Sequence, residues 1–565
     1  MIVPSHKTGS AFSDAPQHWH DIDWCRVQGS VRGMQIRIAK ACREGKWRKV
    51  KSLQRMLTRS TSARYLAVRR VTENQGKRTA GVDRVLWDTP DAKWKAANGL
   101  KQRGYRPLPL RRVFIPKSNG KERPLGIPTM TDRAMQALYL LALAPVAETT
   151  GDPNSYGFRI ERSTADAMGQ LFVCLSKRVS AQWVLEADIH GCFDHINHHW
   201  LTNNVPTDRT VLRKWLKAGV VHKGQLQATE AGTPQGGIIS PTLANMALDG
   251  LETQLRQHLG VARSKKLKIN VVRYADDFVI TGNSPEVLGA EVKPWVEQFL
   301  ATRGLRLSTE KTHITHIDQG FDFLGWNFRK YNGKLLIKPS KKNAQAFYRK
   351  VKEAIDNHKS SRQVDLIRLL NPMLRGWANY HQPVVAKQAY SRMDYKIFLR
   401  LWRWAKRRHP NKSLQWIRTS YFRSIGDQSW VFSATDVDEN GGKKEIALYS
   451  LASTPIERHK KTSGEFNPFD PSMEEMGEKL RTERMLKKLK YRTQVISLFK
   501  SQKGLCMLCN QPLTKETGWH DHHIIYRSQG GRDSLDNRVL LHPICHQRLH
   551  SRGLKVTKPV PLGAL

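Results

Sequence analysis

The chain has 565 residues, with 94 Lys and Arg against 49 Asp and Glu, a formal net charge of +45. Its length predicts roughly three to five domains, and 39% hydrophobic residues are enough for packed cores, which excludes wholesale disorder. Such a charge repels itself unless a polyanion meets it, so nucleic acid is the expected partner and an anionic membrane surface the rival. No apolar run reaches the ~18 residues a spanning helix needs, and the N-terminus shows no signal-peptide core. Seven cysteines are too few for a disulfide scaffold and fit a reducing cytosol.

In chain order, residues 1–30 read as a polar leader. Residues 31–71 carry apolar side chains at helical spacing amid Lys and Arg, which predicts two basic helices. Residues 111–128 read as strand, turn, strand, with the turn at Asn119-Gly120. Thr131, Asp132 and Arg133 are placed to cap a helix running through residue 147. Residues 183–189 alternate as a strand, and 269–280 predict a hairpin that turns at Asp276 and Asp277. From 341 to 416 the pattern is helical and basic, with 21 Lys and Arg against 4 acids between residues 331 and 420. Residues 430–480 look like a small unit plus linker, and a compact module follows from about 485.

The paired acids carry the first chemistry. Adjacent carboxylates in a tight turn repel each other unless a divalent cation sits there. Asp188 ends another apolar strand. If the two strands are neighbours, Asp188 and Asp276 can bridge two Mg²⁺ ions that activate a 3′-hydroxyl and stabilise a leaving pyrophosphate.

Tyr274-Ala275-Asp276-Asp277 resembles the catalytic box of reverse transcriptases, and the segment from Asp188 to Asp194 resembles their first palm motif. Segments 154–159, 232–241, 304–312 and 321–326 resemble the remaining motifs in order. Segments 74–83 and 370–380 resemble the finger extension and maturase signature of group II intron-encoded proteins. The resemblance implies an α/β right hand of fingers and palm with a helical thumb. The expected units are a leader (1–30), N-terminal extension and fingers (31–180), palm (181–335), thumb or maturase domain (336–430), DNA-binding region and linker (431–485) and nuclease (486–565). It also implies that Asp188, Asp276 and Asp277 hold Mg²⁺, with the Ile189 carbonyl as an extra ligand. Lys117 and Arg123 would clamp the incoming dNTP, Phe193 would exclude a ribose 2′-hydroxyl, Gln235 would lie beside the nucleotide, and Lys311 would face phosphate or Asp188. On the thumb, Arg375, Arg400, Arg403, Arg407 and Arg408 are the expected RNA contacts; Trp377 reads as helical-bundle core, and Trp402 and Trp404 as bundle core or as part of a basic–aromatic mix suited to RNA stacking.

At the C-terminus, Cys506 with Cys509 and His542 with Cys545 offer four ligands suited to a tetrahedral structural Zn²⁺. With His520, His522, His523, Asn537, His546 and His550 the module resembles an HNH nuclease of the ββα-metal type. That resemblance implies that His522, His546 and His550 hold a catalytic divalent ion, expected to be Mg²⁺, that His523 is the general base, and that Asn537 orients its loop. The family's acid is replaced here by His520, whose role stays open.

The combined expectation is an RNA-directed DNA polymerase and maturase. It binds its group II intron RNA and an RNA template–primer duplex, assists splicing, nicks target DNA and copies the intron at the nick. It would be cytoplasmic and nucleoid-associated, as a ribonucleoprotein, with no membrane partner. The rival readings are a retron- or defence-type reverse transcriptase and a splicing factor without an active polymerase.

Overall fold

The computed structural model describes residues 16–116, 120, 122–233, 235–437, 442–489, 493–514, 517–526, 529–532 and 534–558. Three helices open it, Trp24–Arg43, Trp47–Arg59 and Thr61–Glu73. The expectation was two, starting at residue 31. The first begins earlier because Asp23 accepts from the Cys25 and Arg26 amides, and Trp19 and Trp24 are buried against the bundle. Ser60 ends the second helix and caps the third by accepting from the Ala63 amide, a break the apolar spacing does not reveal.

These helices pack on Met130–Thr150, the central helix of the fingers. Its cap is Thr129, whose hydroxyl accepts from the Asp132 amide at 3.1 Å, and not the Thr131 expected from sequence. It runs through Pro145 to Thr150, where the Thr149 hydroxyl donates to the Pro145 carbonyl. The finger sheet has the strand order Glu122–Ile127, Leu110–Pro116, Val220–His222, Gln225–Gln227. The first pair is the expected hairpin, although Asn119 of its turn lies outside the described residues. Its parallel partner, Val220–His222, comes from about 100 residues downstream.

The palm is a four-stranded antiparallel sheet in the order Asn270–Tyr274, Asp277–Gly282, Trp183–Asp188, His313–His316. Val184, Leu185, Phe278 and Ile280 fill its interior. A three-stranded sheet, Phe321–Phe323, Trp326–Tyr331 and Lys334–Pro339, leads into four helices, Lys341–Asn357, Gln363–His381, Lys387–Arg408 and Leu414–Tyr421. The strands Phe422–Ile425, Gln428–Val437 and Lys443–Ala447 then form a meander whose Phe422 and Phe432 share one core with Leu374, Tyr390 and Leu401. The expected boundary at residue 430 therefore falls inside a strand that packs on the thumb.

Beyond the meander the chain returns to the fingers as a strap. Asp166 accepts from the Thr462 amide at 2.7 Å and lies 2.8 Å from His459 Nε2, and Arg162 donates to the Gly464 carbonyl. Arg484 of the Glu474–Leu489 helix pairs with Glu161 at 2.6 Å. The last unit pairs His520–His523 with Arg538–Leu541 and closes with the helix Pro543–Arg552, a ββα arrangement.

Candidate active sites

Asp188, last residue of its strand, is the register partner of Asp277 on the neighbouring strand. Tyr274 pairs with Asp277 across a two-residue turn, Ala275 and Asp276, in which Ala275 adopts φ 58°. That tight turn is held from behind. Gly157 approaches so closely that a Cβ there would lie 2.3 Å from the Ala275 nitrogen. The buried Arg273 guanidinium donates to the Ala275 carbonyl, to Asn245 and to Asp249, whose carboxyl burial pushes up to about 6. Sequence order alone missed Gly157, Arg273, Asn245 and Asp249, because their contribution is contact with the back of the turn.

Among the described residues the site is short of positive charge. Burial pushes the Asp276 carboxyl up; burial, the Asp276 charge and a hydrogen bond with Asp188 push Asp277 up to about 7. Lys311 Nζ reaches Asp188 Oδ2 at 2.8 Å, and this contact raises the lysine's own proton affinity. Arg123 and Lys311 are the charges that counter Asp276. Asp188, Asp276 and Asp277 act on one another through their charges with, among the described residues, one lysine in contact, and a divalent cation would supply the counter-charge. The Ile189–Leu307 bridge fits too: His190 donates to Arg306 and Asp188 accepts from Ser308 on either side of it, so the Ile189 carbonyl is not spent in that pairing.

The finger hairpin docks on the loop that carries Gln235. Arg123 Nε donates to Gln235 Oε1 at 2.6 Å, and the Gly126 amide donates to the Gln235 carbonyl at 2.7 Å. Gly236, at φ 122°, lies where a Cβ would be 2.6 Å from the Gly126 carbonyl oxygen, so only glycine allows this approach. Phe193 is 7% exposed, edge-on to Phe158 at 6.2 Å, with its carbonyl accepting from Thr233. Lys117 lies outside the described residues.

The structure divides the five thumb arginines. Arg400 pairs with Asp356, and Arg408 donates to the Lys359 and Ser361 carbonyls while lying over Trp404, so both are engaged within the bundle. Arg375 stacks over Tyr449 at 5.3 Å. Arg403 and Arg407 are exposed, as is Lys406 between them. Trp404 is core and donates to the His358 carbonyl; Trp377 stacks on Phe347 at 4.7 Å.

In the C-terminal unit, ligand atoms of Cys506, Cys509, His542 and Cys545 all lie within 4.8 Å of one another, and all four residues are buried. His542 Nδ1 faces the sulfurs, 3.3 Å from Cys509 Sγ, while its Nε2 lies 3.2 Å from the Pro512 carbonyl, which fixes the ring for ligation through Nδ1. Burial alone would lower His542, but hydrogen bonds to Cys506 and Cys509 push it up to about 9. This donor set fits one soft-ligated ion. A second group, His522, His546 and His550, also converges within 4.8 Å. Burial and the neighbouring imidazoles pull His546 down to about 4, so it is neutral and free to ligate near neutral pH. His520 Nδ1 lies 3.4 Å from His546 Nδ1, beside the ligands and not on distant surface. Asn537 ties the loop after His523 at both ends, accepting from the Ile525 amide and donating to the Ile525 and Arg532 carbonyls.

Four family models match this chain: the N-terminal domain of reverse transcriptase over residues 19–100, reverse transcriptase (RNA-dependent DNA polymerase) over 115–328, the group II intron maturase-specific domain over 344–422, and HNH endonuclease over 506–552. Protein YkfC of Escherichia coli K12 is 35% identical over 318 residues, 48% of this chain and 82% of that protein. The group II intron-encoded protein LtrA of Lactococcus lactis is 30% identical over 415 residues, 56% of this chain and 68% of LtrA. The chain belongs to the group II intron-encoded proteins. This intron-encoded protein is a reverse transcriptase and maturase that carries an HNH endonuclease domain. A protein in the cob intron of Schizosaccharomyces pombe is 25% identical over 67% of the chain. Among solved structures, telomerase from Candida albicans in complex with a telomeric RNA fragment matches 56% of the intron-encoded protein at 11% identity with a TM-score of 0.33, a likeness too distant to carry an argument.

Proposed function

We propose that the intron-encoded protein copies its intron into DNA at a nick made by its own C-terminal domain. The observation that carries the reading is the pairing of Asp188 with Asp277 across the palm sheet, with Asp276 in the adjoining turn and Lys311 on Asp188. In this reading Asp188, Asp276, Asp277 and the Ile189 carbonyl hold two Mg²⁺ ions, which when bound activate the primer 3′-hydroxyl and stabilise the leaving pyrophosphate. Arg123 and Lys117 clamp the dNTP triphosphate, Gln235 holds the nucleotide while bonded to Arg123, and Phe193 excludes the ribose 2′-hydroxyl. Lys311 holds Asp188 in place.

Arg403, Lys406 and Arg407 meet intron RNA, joined by Arg375; the template–primer duplex lies between palm and thumb. Residues 431–485 contribute to target-DNA binding. Cys506, Cys509, His542 and Cys545 hold a structural Zn²⁺, and His522, His546 and His550 hold the nuclease ion, taken to be Mg²⁺. His523 removes the proton from the attacking water, and Asn537 fixes its loop. Among the described residues no helix is long and apolar enough to cross a membrane. In this reading the protein works in the cytoplasm, nucleoid-associated, as a ribonucleoprotein. The experiment supplies the protein with its intron RNA, dNTPs and end-labelled target duplex. The labelled strand should be nicked and then extended into intron cDNA, and His523→Ala should remove both products. Unlinked cDNA from the wild type, at intact duplex, would refute nick-primed copying.

A further inference from the structure

A cavity of about 680 Å³ opens between the Lys387–Arg408 helix and the meander that follows the thumb, within the roughly 300–1,000 Å³ typical of ligand sites. It belongs to neither the polymerase nor the nuclease site. Tyr395, Phe398, Phe422, Trp430 and Tyr449 form its aromatic wall. Tyr395 is 62% exposed and Trp430 38%, so two large rings stand at the mouth unburied.

Trp430 reaches that place at a conformational cost. Arg423 pairs with Val431 and Ile425 with Gln428, so Ser424 alone opposes both Ser429 and Trp430, a β-bulge. Trp430 takes φ 62°, a left-handed backbone that bulky residues avoid. Bulges re-aim side chains, and strain of this kind concentrates at functional sites. The ring lies 6.0 Å from Phe398 and 5.5 Å from Trp402, with the Arg418 guanidinium 4.6 Å over it. Arg375 lies over Tyr449, another ring of that wall. Arg392 and Lys396 are exposed on the helix beside Tyr395. Among the described residues the one acid lining the cavity, Asp394, is spent on the Ser450 hydroxyl and the Leu451 and Ala452 amides. Aromatic walls rimmed by cations match a nucleobase with its flanking phosphates.

We propose that this cavity stacks one unpaired base of the bound RNA, with Trp430 and Tyr395 as its platform and Arg418 and Arg375 facing the adjoining phosphates. The inference rests on the reading of the thumb as an RNA-binding surface. The test measures affinity of the full-length protein for intron RNA across a salt series. Trp430→Ala and, separately, Tyr395→Ala should weaken binding about 5- to 150-fold, the range of one lost base stack, without changing the slope against log salt. Trp430→Phe should recover most of the loss. Neutralising Arg403, Lys406 and Arg407 should instead lower the slope, because phosphate contacts release counterions. Primer extension on a generic RNA template at saturating concentration should stay at the wild-type rate in both aromatic variants. Unchanged affinity in both, or a Phe variant no better than Ala, would overturn the proposal. Lost target-DNA nicking with intact RNA affinity would also overturn it, assigning the cavity to DNA. Wild-type preference for intron RNA over unrelated RNA of equal length tests the thumb reading separately, and the variant-to-wild-type ratio can be read on either RNA.

Discussion

At residue scale the palm acids are unstable neighbours without a cation. Asp277 has its carboxyl raised from 3.8 to about 7 by burial and by Asp276 and Asp188. A raised folded-state value means the neutral carboxyl is what the metal-free fold favours. That stabilisation is complete below about 4 and is lost as pH climbs through about 7. Magnesium should therefore raise the melting temperature more at pH 8 than at pH 5.5. Asp277→Asn should raise the metal-free midpoint at pH 8 and remove most of the magnesium gain; a gain equal at both pH values would contradict this. Phe193 makes a different test. Its ring is buried and edge-on to Phe158, which suits either a core residue or a wall against the sugar. Phe193→Val should raise the use of ribonucleotides relative to dNTPs by tenfold or more, in primer extension with each nucleotide alone. An unchanged ratio would make Phe193 core only.

At the scale of elements, legibility followed how local the signal was. The palm hairpin was readable because its apolar runs bracket Asp276 and Asp277, but the structure turns one residue earlier, at Ala275 and Asp276, and Asp277 opens the second strand paired with Tyr274. The ββα unit was readable because its ligands fall in pairs at fixed spacing, and both groups converge. What stayed hidden is long-range. The Val220–His222 strand joins the finger sheet through a parallel pairing that nothing in its three residues announces. The thumb meander looked like a linker because its short strands depend on the helices for a core. Arg400 and Arg408 looked like RNA contacts because the sequence does not show that Asp356 and two carbonyls already hold them. The nuclease unit separates structural from chemical histidines. Cys506→Ser should release zinc and unfold the unit, since a structural metal contributes folding energy. His523→Ala should keep zinc and lose at least 100-fold in nicking, the lower range for general-base catalysis. Zinc content measured beside nicking decides: Cys506→Ser with its zinc retained, or His523→Ala with full nicking, would contradict the assignments.

At the scale of the molecule, the two chemistries are physically joined. The strap anchors on Asp166 and Glu161 of the fingers through Thr462, His459 and Arg484. The nuclease helix meets the N-terminal turn through an ion pair between Arg552 and Asp21. Fingers, thumb and nuclease therefore form one connected body whose excess charge of +45 calls for RNA as its counter-ion. The central claim is that this body carries a working polymerase whose three acids serve chemistry and not RNA binding. The most direct measurement is magnesium-dependent extension of a DNA primer on intron RNA by Asp276→Ala and Asp277→Ala, with RNA affinity measured on the same preparations. The account predicts that extension falls at least about a hundredfold, of the order expected when electrostatic stabilisation of the reacting groups is removed, while RNA affinity stays within a few fold. Extension persisting near the wild-type rate in both variants, with affinity intact, would contradict it.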